Sequence, residues 1–205
     1  MKQVERTRLT YDKIVNGAIR EFGTKSYADA SLNNICSESN ISKGLIYHNF
    51  KGKDDLYLHC VAICFDRMTE FLKQKNYDQS TSAKVIRDLL LSRQEFFEAN
   101  PYLEKIFYFT VLHPPVHLRE EIKEIRKDYN EFCRNLYEEL LENLQLRDNI
   151  TVEMAIDYFV LFQEMFNGYF QRKSIEGRSF ADVVREHEMN LAQVLDIMLY
   201  GIAVK

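Results

Sequence analysis

Apolar residues recur along this chain at helical spacing, almost without interruption. Ile14, Val15, Ala18, Ile19 and Phe22 follow one another on one face, and Gly23 stops the pattern. Leu32, Ile35 and Cys36 form a shorter set behind Ser31, whose hydroxyl suits an N-cap. Ser39-Asn40-Ile41 reads as a turn, because Asn tolerates the left-handed conformation. Ser42 is expected to cap a second short helix over 43–49, which Phe50-Lys51-Gly52 breaks. From Lys53 a stripe of Leu56, Cys60, Ile63, Cys64, Met68, Phe71 and Leu72 predicts a long helix. A polar loop over 76–82 follows. Further helices are predicted over 83–99, 102–112, 116–146 and 151–173, and from Ser179 to about 202. Pro101 suits a first helical position, Pro114 ends a helix, and Gly177 lies in a loop over 174–178. No segment alternates with the period of a strand. The predicted class is all-α, with about nine helices: a three-helix helix-turn-helix head over 1–52 and a helical body over 53–205.

Composition supports this reading and charge refines it. Of 205 residues, 46% are hydrophobic and 28% charged, as in a globular chain able to bury a sizeable core. The 7 Gly and 3 Pro are too few for a turn-rich β-sandwich or a Gly-rich nucleotide loop. The net charge of −4 argues at first against nucleic acid. Its distribution argues the opposite. Residues 1–53 hold nine bases and five acids, net +4; the remainder hold 18 bases and 26 acids, net −8. A basic head on an acidic body is the asymmetry of a DNA-binding module attached to a body with other duties. The polar start and the lack of a run of about 18 apolar residues predict neither a signal peptide nor a membrane span, so the expected location is the cytoplasm. Cys36, Cys60, Cys64 and Cys133 read as reduced and mostly buried.

The second short helix reads Ser42-Lys43-Gly44-Leu45-Ile46-Tyr47-His48-Asn49. Ile46 and Phe50 can face the core with Ile41, which leaves Lys43, Gly44, Tyr47 and His48 on the other side. That side offers a base-edge reader in Lys43, close approach at Gly44, and phosphate donors in Tyr47 and His48. From Ile41 to Leu56 the string ISKGLIYHNFKGKDDL resembles the signature of TetR-type transcriptional regulators. Ala18, Phe22, Gly23, Tyr27, Ser31 and Ile35 fall in the same register, so the likeness covers roughly 10–60. The resemblance implies that Ser31, Ser42, Tyr47 and Lys53 touch phosphates and that Lys43 and Gly44 approach bases. His48 matches a position that is often aromatic and contacts the DNA backbone. The string departs from the family at Cys36 and Ser39, which replace small alanines, and at Asn40, where Gly is usual. It departs again at Leu45, which replaces a small polar residue and implies either an apolar contact, such as a thymine methyl, or a slightly different seating of the helix, and at Asn49, which replaces a frequent His.

The body is rich in rings, with most of the 12 Tyr and 14 Phe beyond residue 60. An aromatic stripe over 155–170 is wider than a simple seam needs. Phe65, Met68, Phe97, Phe107, Tyr108, Phe132, Phe159, Phe162, Met165 and Phe166 are candidate contacts for a lipophilic or aromatic effector. Gln163, Glu164 and Asn167 are candidate polar contacts beside them. The resemblance adds that such bodies hold a ligand among their middle helices and dimerise through the last two. Leu191, Val194, Leu195, Met198, Leu199 and Ile202 give the final helix an apolar face. The expected function is that of a homodimeric, ligand-responsive regulator, a repressor released from a palindromic double-stranded operator by a small molecule. No cofactor, no metal and no catalysis are expected. His113 and His117 flank two prolines and cannot share one helical face, and Cys60 with Cys64 reads as a buried face before a redox pair. The competing readings are an all-helical enzyme or carrier with an incidental helix-turn-helix, and a DNA-binding adaptor that docks a protein.

Overall fold

The computed structural model describes residues 3–78, 81–175 and 178–202. They form α1 (Gln3–Phe22), α2 (Leu32–Ser39), α3 (Lys43–Asn49), α4 (Lys53–Lys73), α5 (Ser82–Ala99) and α6 (Pro101–Leu112). A 3-10 turn (Val116–Leu118), α7 (Arg119–Ile125), α8 (Lys127–Glu142), α9 (Val152–Ile175) and α10 (Phe180–Ile202) follow. The break predicted at Gly177 lies outside the described residues. Tertiary contacts divide the chain into two compact units, Met1–Arg67 with Phe97–Arg126, and Met68–Phe96 with Lys127–Lys205.

In the first unit α1 packs on α2, α3 and α6. Ile14, Ala18 and Phe22 of α1, Ile35 of α2, Ile46 of α3, and Leu56, Tyr57 and Val61 of α4 are buried. Each of the Ile, Leu, Val and Phe side chains among them contributes about 1.5–3 kcal/mol of transfer free energy. The turn between α2 and α3 depends on Asn40, at φ 50° and ψ 53°, the left-handed conformation expected of it. Gly23 is needed for closeness. A Cβ there would come within 2.7 Å of the Tyr102 backbone oxygen and of the Ile19 carbonyl.

In the second unit α9 packs on α8 and α10. Its interior holds Leu136, Tyr137, Leu140 and Leu141 of α8, Phe159, Phe162, Phe166 and Phe170 of α9, and Val183, Leu195, Met198 and Leu199 of α10. Arg147 satisfies the end of α10, its N–H donating to the Ile202 carbonyl and its guanidinium to that of Gly201, both at 3.1 Å.

The predicted caps act at Ser31, Thr151 and Ser179, whose hydroxyls accept from Asn33, Met154 and Asp182 at 3.2, 3.1 and 3.2 Å. Ser42 differs. It holds the N-cap position of α3 in extended backbone, but its hydroxyl makes no capping hydrogen bond. The single helix predicted over 116–146 is also divided. The residues after Pro115 make a 3-10 turn, and the backbone of Arg126, at ψ −4°, turns the chain between α7 and α8. α8 then stops at Glu142. No described helix is long and apolar enough to cross a membrane.

Candidate functional site

The short helix α3 has one buried residue, Ile46, and Phe50 is buried immediately after it. Because 3.6 residues make a turn, Lys43, Gly44, Tyr47 and His48 are left exposed, with Tyr47 at 54%. Ser42 is exposed beside them, its hydroxyl not spent on the cap. A Cβ on Gly44 would meet nothing nearer than the Ser42 hydroxyl at 3.9 Å, so this face is open. Leu45 is exposed, and the Asn49 side chain folds back to the Leu45 carbonyl at 2.8 Å.

Glu21 holds this module in place. It is 1% exposed, yet its carboxylate accepts from the Ser31 N–H at 2.8 Å, the Asn34 amide at 3.1 Å and the Lys25 ammonium at 3.0 Å. Burial pushes its carboxyl up, but these donors outweigh burial and hold it below the usual range. Ser31 is therefore fixed twice, by Glu21 at its N–H and by Asn33 at its hydroxyl.

Lys53 opens α4 and is half-buried. Its ammonium lies 4.4 Å from the centre of the Tyr27 ring and 3.4 Å from the Ala28 carbonyl. The Tyr27 hydroxyl donates to Asp54, and His117 Nε2 lies 3.2 Å from the other Asp54 oxygen. Cys60 and Cys64 are buried, and burial pushes both thiols up, so they stay protonated. Among the described residues no His, Cys, Asp and Glu group has the spacing of a metal site.

The candidate effector contacts fall in both units. Phe65, Phe97, Phe107 and Tyr108 make one buried cluster, with ring centres 5.1–5.8 Å apart. In the second unit Phe159 stacks on Tyr137 at 4.2 Å, and Phe162, Phe166 and Phe170 follow along α9. Met68 is buried there and Phe132 is half-buried, 6.3 Å from Tyr77. Met165 corrects the expectation. It is 55% exposed on an outer stripe of α9 with Met154, Tyr158, Leu161 and Tyr169. Glu164 is exposed, Gln163 is half-buried, and the Asn167 side chain is bonded to His187 Nε2 at 3.1 Å.

His187 belongs to a buried polar network. Phe166 and Phe170 flank its ring at 4.9 and 5.1 Å, and its Nδ1 lies 2.9 Å from Glu188. Glu188 also accepts from the buried Arg93 at 2.6 Å. Burial alone would raise the Glu188 carboxyl. The Arg93 charge, aided by His187, outweighs it and holds the carboxyl at about 2.

Two family signatures match this architecture. That of bacterial regulatory proteins of the tetR family covers residues 14–60, and that of the tetracyclin repressor-like C-terminal domain covers residues 81–203. The chain belongs to the TetR family. As a TetR-family member it is a DNA-binding transcriptional regulator with an N-terminal helix-turn-helix and a helical C-terminal body. Regulators of this family answer to small-molecule effectors and act as dimers. The chain is 28% identical to the biofilm operon icaADBC HTH-type negative transcriptional regulator IcaR of Staphylococcus epidermidis, over 64% of this chain and 67% of that protein. Its fold is similar to that of a tetR family transcription regulator from Shewanella sp. PV-4, with a TM-score of 0.62 at 15% identity, covering 96% of this chain and 99% of the other. It is similar also to that of FadR from Bacillus subtilis in complex with stearoyl-CoA, with a TM-score of 0.57 at 16% identity, covering 89% and 97%.

In this TetR-family chain three features lie beyond the sequence patterns: the anchoring role of Glu21, the Arg93–Glu188–His187 network, and the Tyr27–Asp54–His117 cluster. Arg93 and Glu188 stand 95 residues apart, and Asp54 and His117 are likewise remote, so no local period or spacing joins them. Glu21 alone carries a usable signal, an acid at a position that its helical period turns inward.

Proposed function

We propose that the chain is a homodimeric repressor whose two α3 helices read a palindromic operator. Occupation of its aromatic body by a lipophilic or aromatic small molecule lowers its operator affinity. The observation that supports the DNA reading is the division of α3, with Ile46 buried beneath it and Lys43, Gly44, Tyr47 and His48 open to solvent. In this reading Lys43 donates to a base edge, Gly44 lets the backbone come close, and Ser31, Ser42, Tyr47, His48 and Lys53 hold phosphates. Residues 1–52 form the head and 53–205 the body.

The effector reading draws support from the buried rings of Phe107, Phe159, Phe162 and Phe166, and from the stearoyl-CoA carried by the FadR structure of similar fold. The dimer reading rests on α9 and α10. Met154, Tyr158, Leu161, Met165 and Tyr169 are apolar, exposed and spaced at three and four, the pattern of a helix seam left without a partner. Met189, Ile197 and Tyr200 extend such a surface on α10. Two-fold pairing there would set two recognition helices about 34–36 Å apart. The effector would act by favouring a state in which α4 holds the heads at another separation, a population shift. The chain works in the cytoplasm, where its operator is, and as a regulator without catalysis.

The test is Lys43→Ala. Affinity for duplexes selected by the wild-type protein should fall about 10-fold or more, while helix content and dimerisation stay unchanged. Unchanged affinity would overturn the recognition-helix assignment.

A further inference from the structure

The groups around Asp54 join three segments that are far apart in sequence. Tyr27 comes from the connection between α1 and α2, Lys53 and Asp54 open α4, and His117 lies in the 3-10 turn that follows α6. All four belong to the first compact unit. The Tyr27 ring is held on several sides. The Tyr57 ring meets it edge-on at 5.0 Å, His117 does so at 5.5 Å, and its hydroxyl donates to Asp54. Burial and the Asp54 charge both push the phenol up, so it stays a donor. The fixed ring then presents its face to the Lys53 ammonium at 4.4 Å, and the Ala28 carbonyl accepts from the same ammonium at 3.4 Å.

Lys53 is an unusual residue to hold so carefully. It is the first residue of a 21-residue helix, where the backbone dipole repels a cation. Asp54 in the same turn suits that dipole, but it is shared between Tyr27 and His117. A lysine held at a helix start, its head only partly exposed, is set to meet an anion from outside. His117 Nε2 lies 3.2 Å from Asp54 Oδ2, within reach to donate when that nitrogen carries a proton, as in the imidazolium or the Nε2–H tautomer. His117 therefore fixes Tyr27 in two ways, through Asp54 and by direct ring contact. It does so from a segment outside the helix-turn-helix.

We propose that His117 is a positioning residue for DNA binding: through Asp54 and Tyr27 it holds the Lys53 ammonium where a phosphate can reach it. The inference rests on the reading of Lys53 as a phosphate contact. It gives the body a direct hold on the DNA surface, because movement of the turn between α6 and α7 would release Tyr27 and with it Lys53. The titratable groups in contact with the His117 ring are Asp54 from α4 and Tyr27 from the α1–α2 connection, and Lys53 lies over the Tyr27 ring.

The experiment measures affinity and its salt dependence on a duplex of about 30 base pairs, three helical turns, selected from a random pool by the wild-type protein. Lys53→Ala should lower affinity about tenfold and reduce the slope of log affinity against log salt by about 0.9, one phosphate contact. His117→Ala should act in the same direction but more weakly, about threefold, the scale of one exposed charged contact. His117→Gln keeps a donor at the Nε2 position and should restore wild-type affinity and slope. In the Lys53→Ala background, His117→Ala should have no further effect. If His117→Ala leaves affinity and slope unchanged while Lys53→Ala lowers both, the positioning role is overturned and the phosphate contact stands. If Lys53→Ala itself changes nothing, the phosphate contact falls and the positioning role with it. Additive losses in the double variant would overturn the coupling of the two residues. His117 is 56% exposed, so its substitution should leave helix content intact, which circular dichroism checks.

Discussion

α3 and α9 both leave a face uncovered, and the two faces have opposite chemistry. The open side of α3 is made of a lysine, a glycine, a tyrosine and a histidine over one buried isoleucine. The open side of α9 is made of Met154, Tyr158, Leu161, Met165 and Tyr169, displaced by one residue from a buried row of Ala155, Phe159, Phe162, Phe166 and Phe170. One residue is about 100° of helix, so α9 is apolar on two faces where a helix on a solvated surface needs one. A donor-rich face costs little in water and attracts a polyanion. An apolar stripe is costly in water and is relieved by a similar stripe. Exposure alone thus says nothing about a partner; the chemistry of what is exposed does.

Charging the apolar stripe of α9 should have the largest effect. Leu161→Glu with Met165→Glu should raise the dimer dissociation constant at least about 100-fold, because like charges would face each other in a desolvated seam. Sedimentation would show monomers, and operator affinity would fall with the second half-site contact. A dimer that survives both changes would move the interface elsewhere. The next largest effect separates support from recognition within α3. Ile46→Ala should cost about 2–4 kcal/mol of stability by leaving a cavity, read as a lower denaturation midpoint. Lys43→Ala should leave that midpoint unchanged and weaken only DNA binding.

A smaller effect concerns the buried network of the second unit. The Glu188 carboxyl is held at about 2, below its unfolded value of about 4.3. Its contribution is thus fully present above about pH 5 and is lost as pH falls toward 2. Glu188→Gln should lower stability by about 1–2 kcal/mol at pH 7, since Glu188 is 33% exposed and partly screened. It should also flatten the fall in melting temperature between pH 5 and 2.5. The smallest effect is expected at Tyr137, whose buried hydroxyl has no hydrogen-bond partner among the described residues. Tyr137→Phe should raise stability by up to about 1 kcal/mol, because an unsatisfied buried hydroxyl is removed. A loss of stability would show that the hydroxyl is satisfied in solution.

Much of this architecture is legible in the amino-acid sequence. The caps at Ser31, Thr151 and Ser179 and the left-handed Asn40 are local features, decided by side chains within four residues of the backbone that they serve. Ile46 and Phe50 are legible as the buried side of α3 for the same reason, since helical period is local. The division of the helix predicted over 116–146 is not legible, because Arg126 lies in an unbroken apolar period and the turn there is a matter of ψ. Met165 reads from sequence as one of the interior contacts because its residue type suits a ligand contact as well as an interface. Only the direction of α9 distinguishes the two.

Local sequence specifies most of the helices, the helix-turn-helix, and the division between a basic segment over residues 1–53, net +4, and an acidic remainder, net −8. Period, capping and charge are properties of neighbouring residues, and a neighbour in sequence remains a neighbour in the fold. The tertiary structure alone decided which apolar stripe of α9 faces inward, that Glu21 anchors Ser31, that Arg93 and His187 share Glu188, and that His117 reaches Tyr27 and Asp54. Apart from the neighbours His187 and Glu188, these contacts join residues whose separation along the chain carries no period, and such a contact exists only once packing has brought distant segments within a few ångströms.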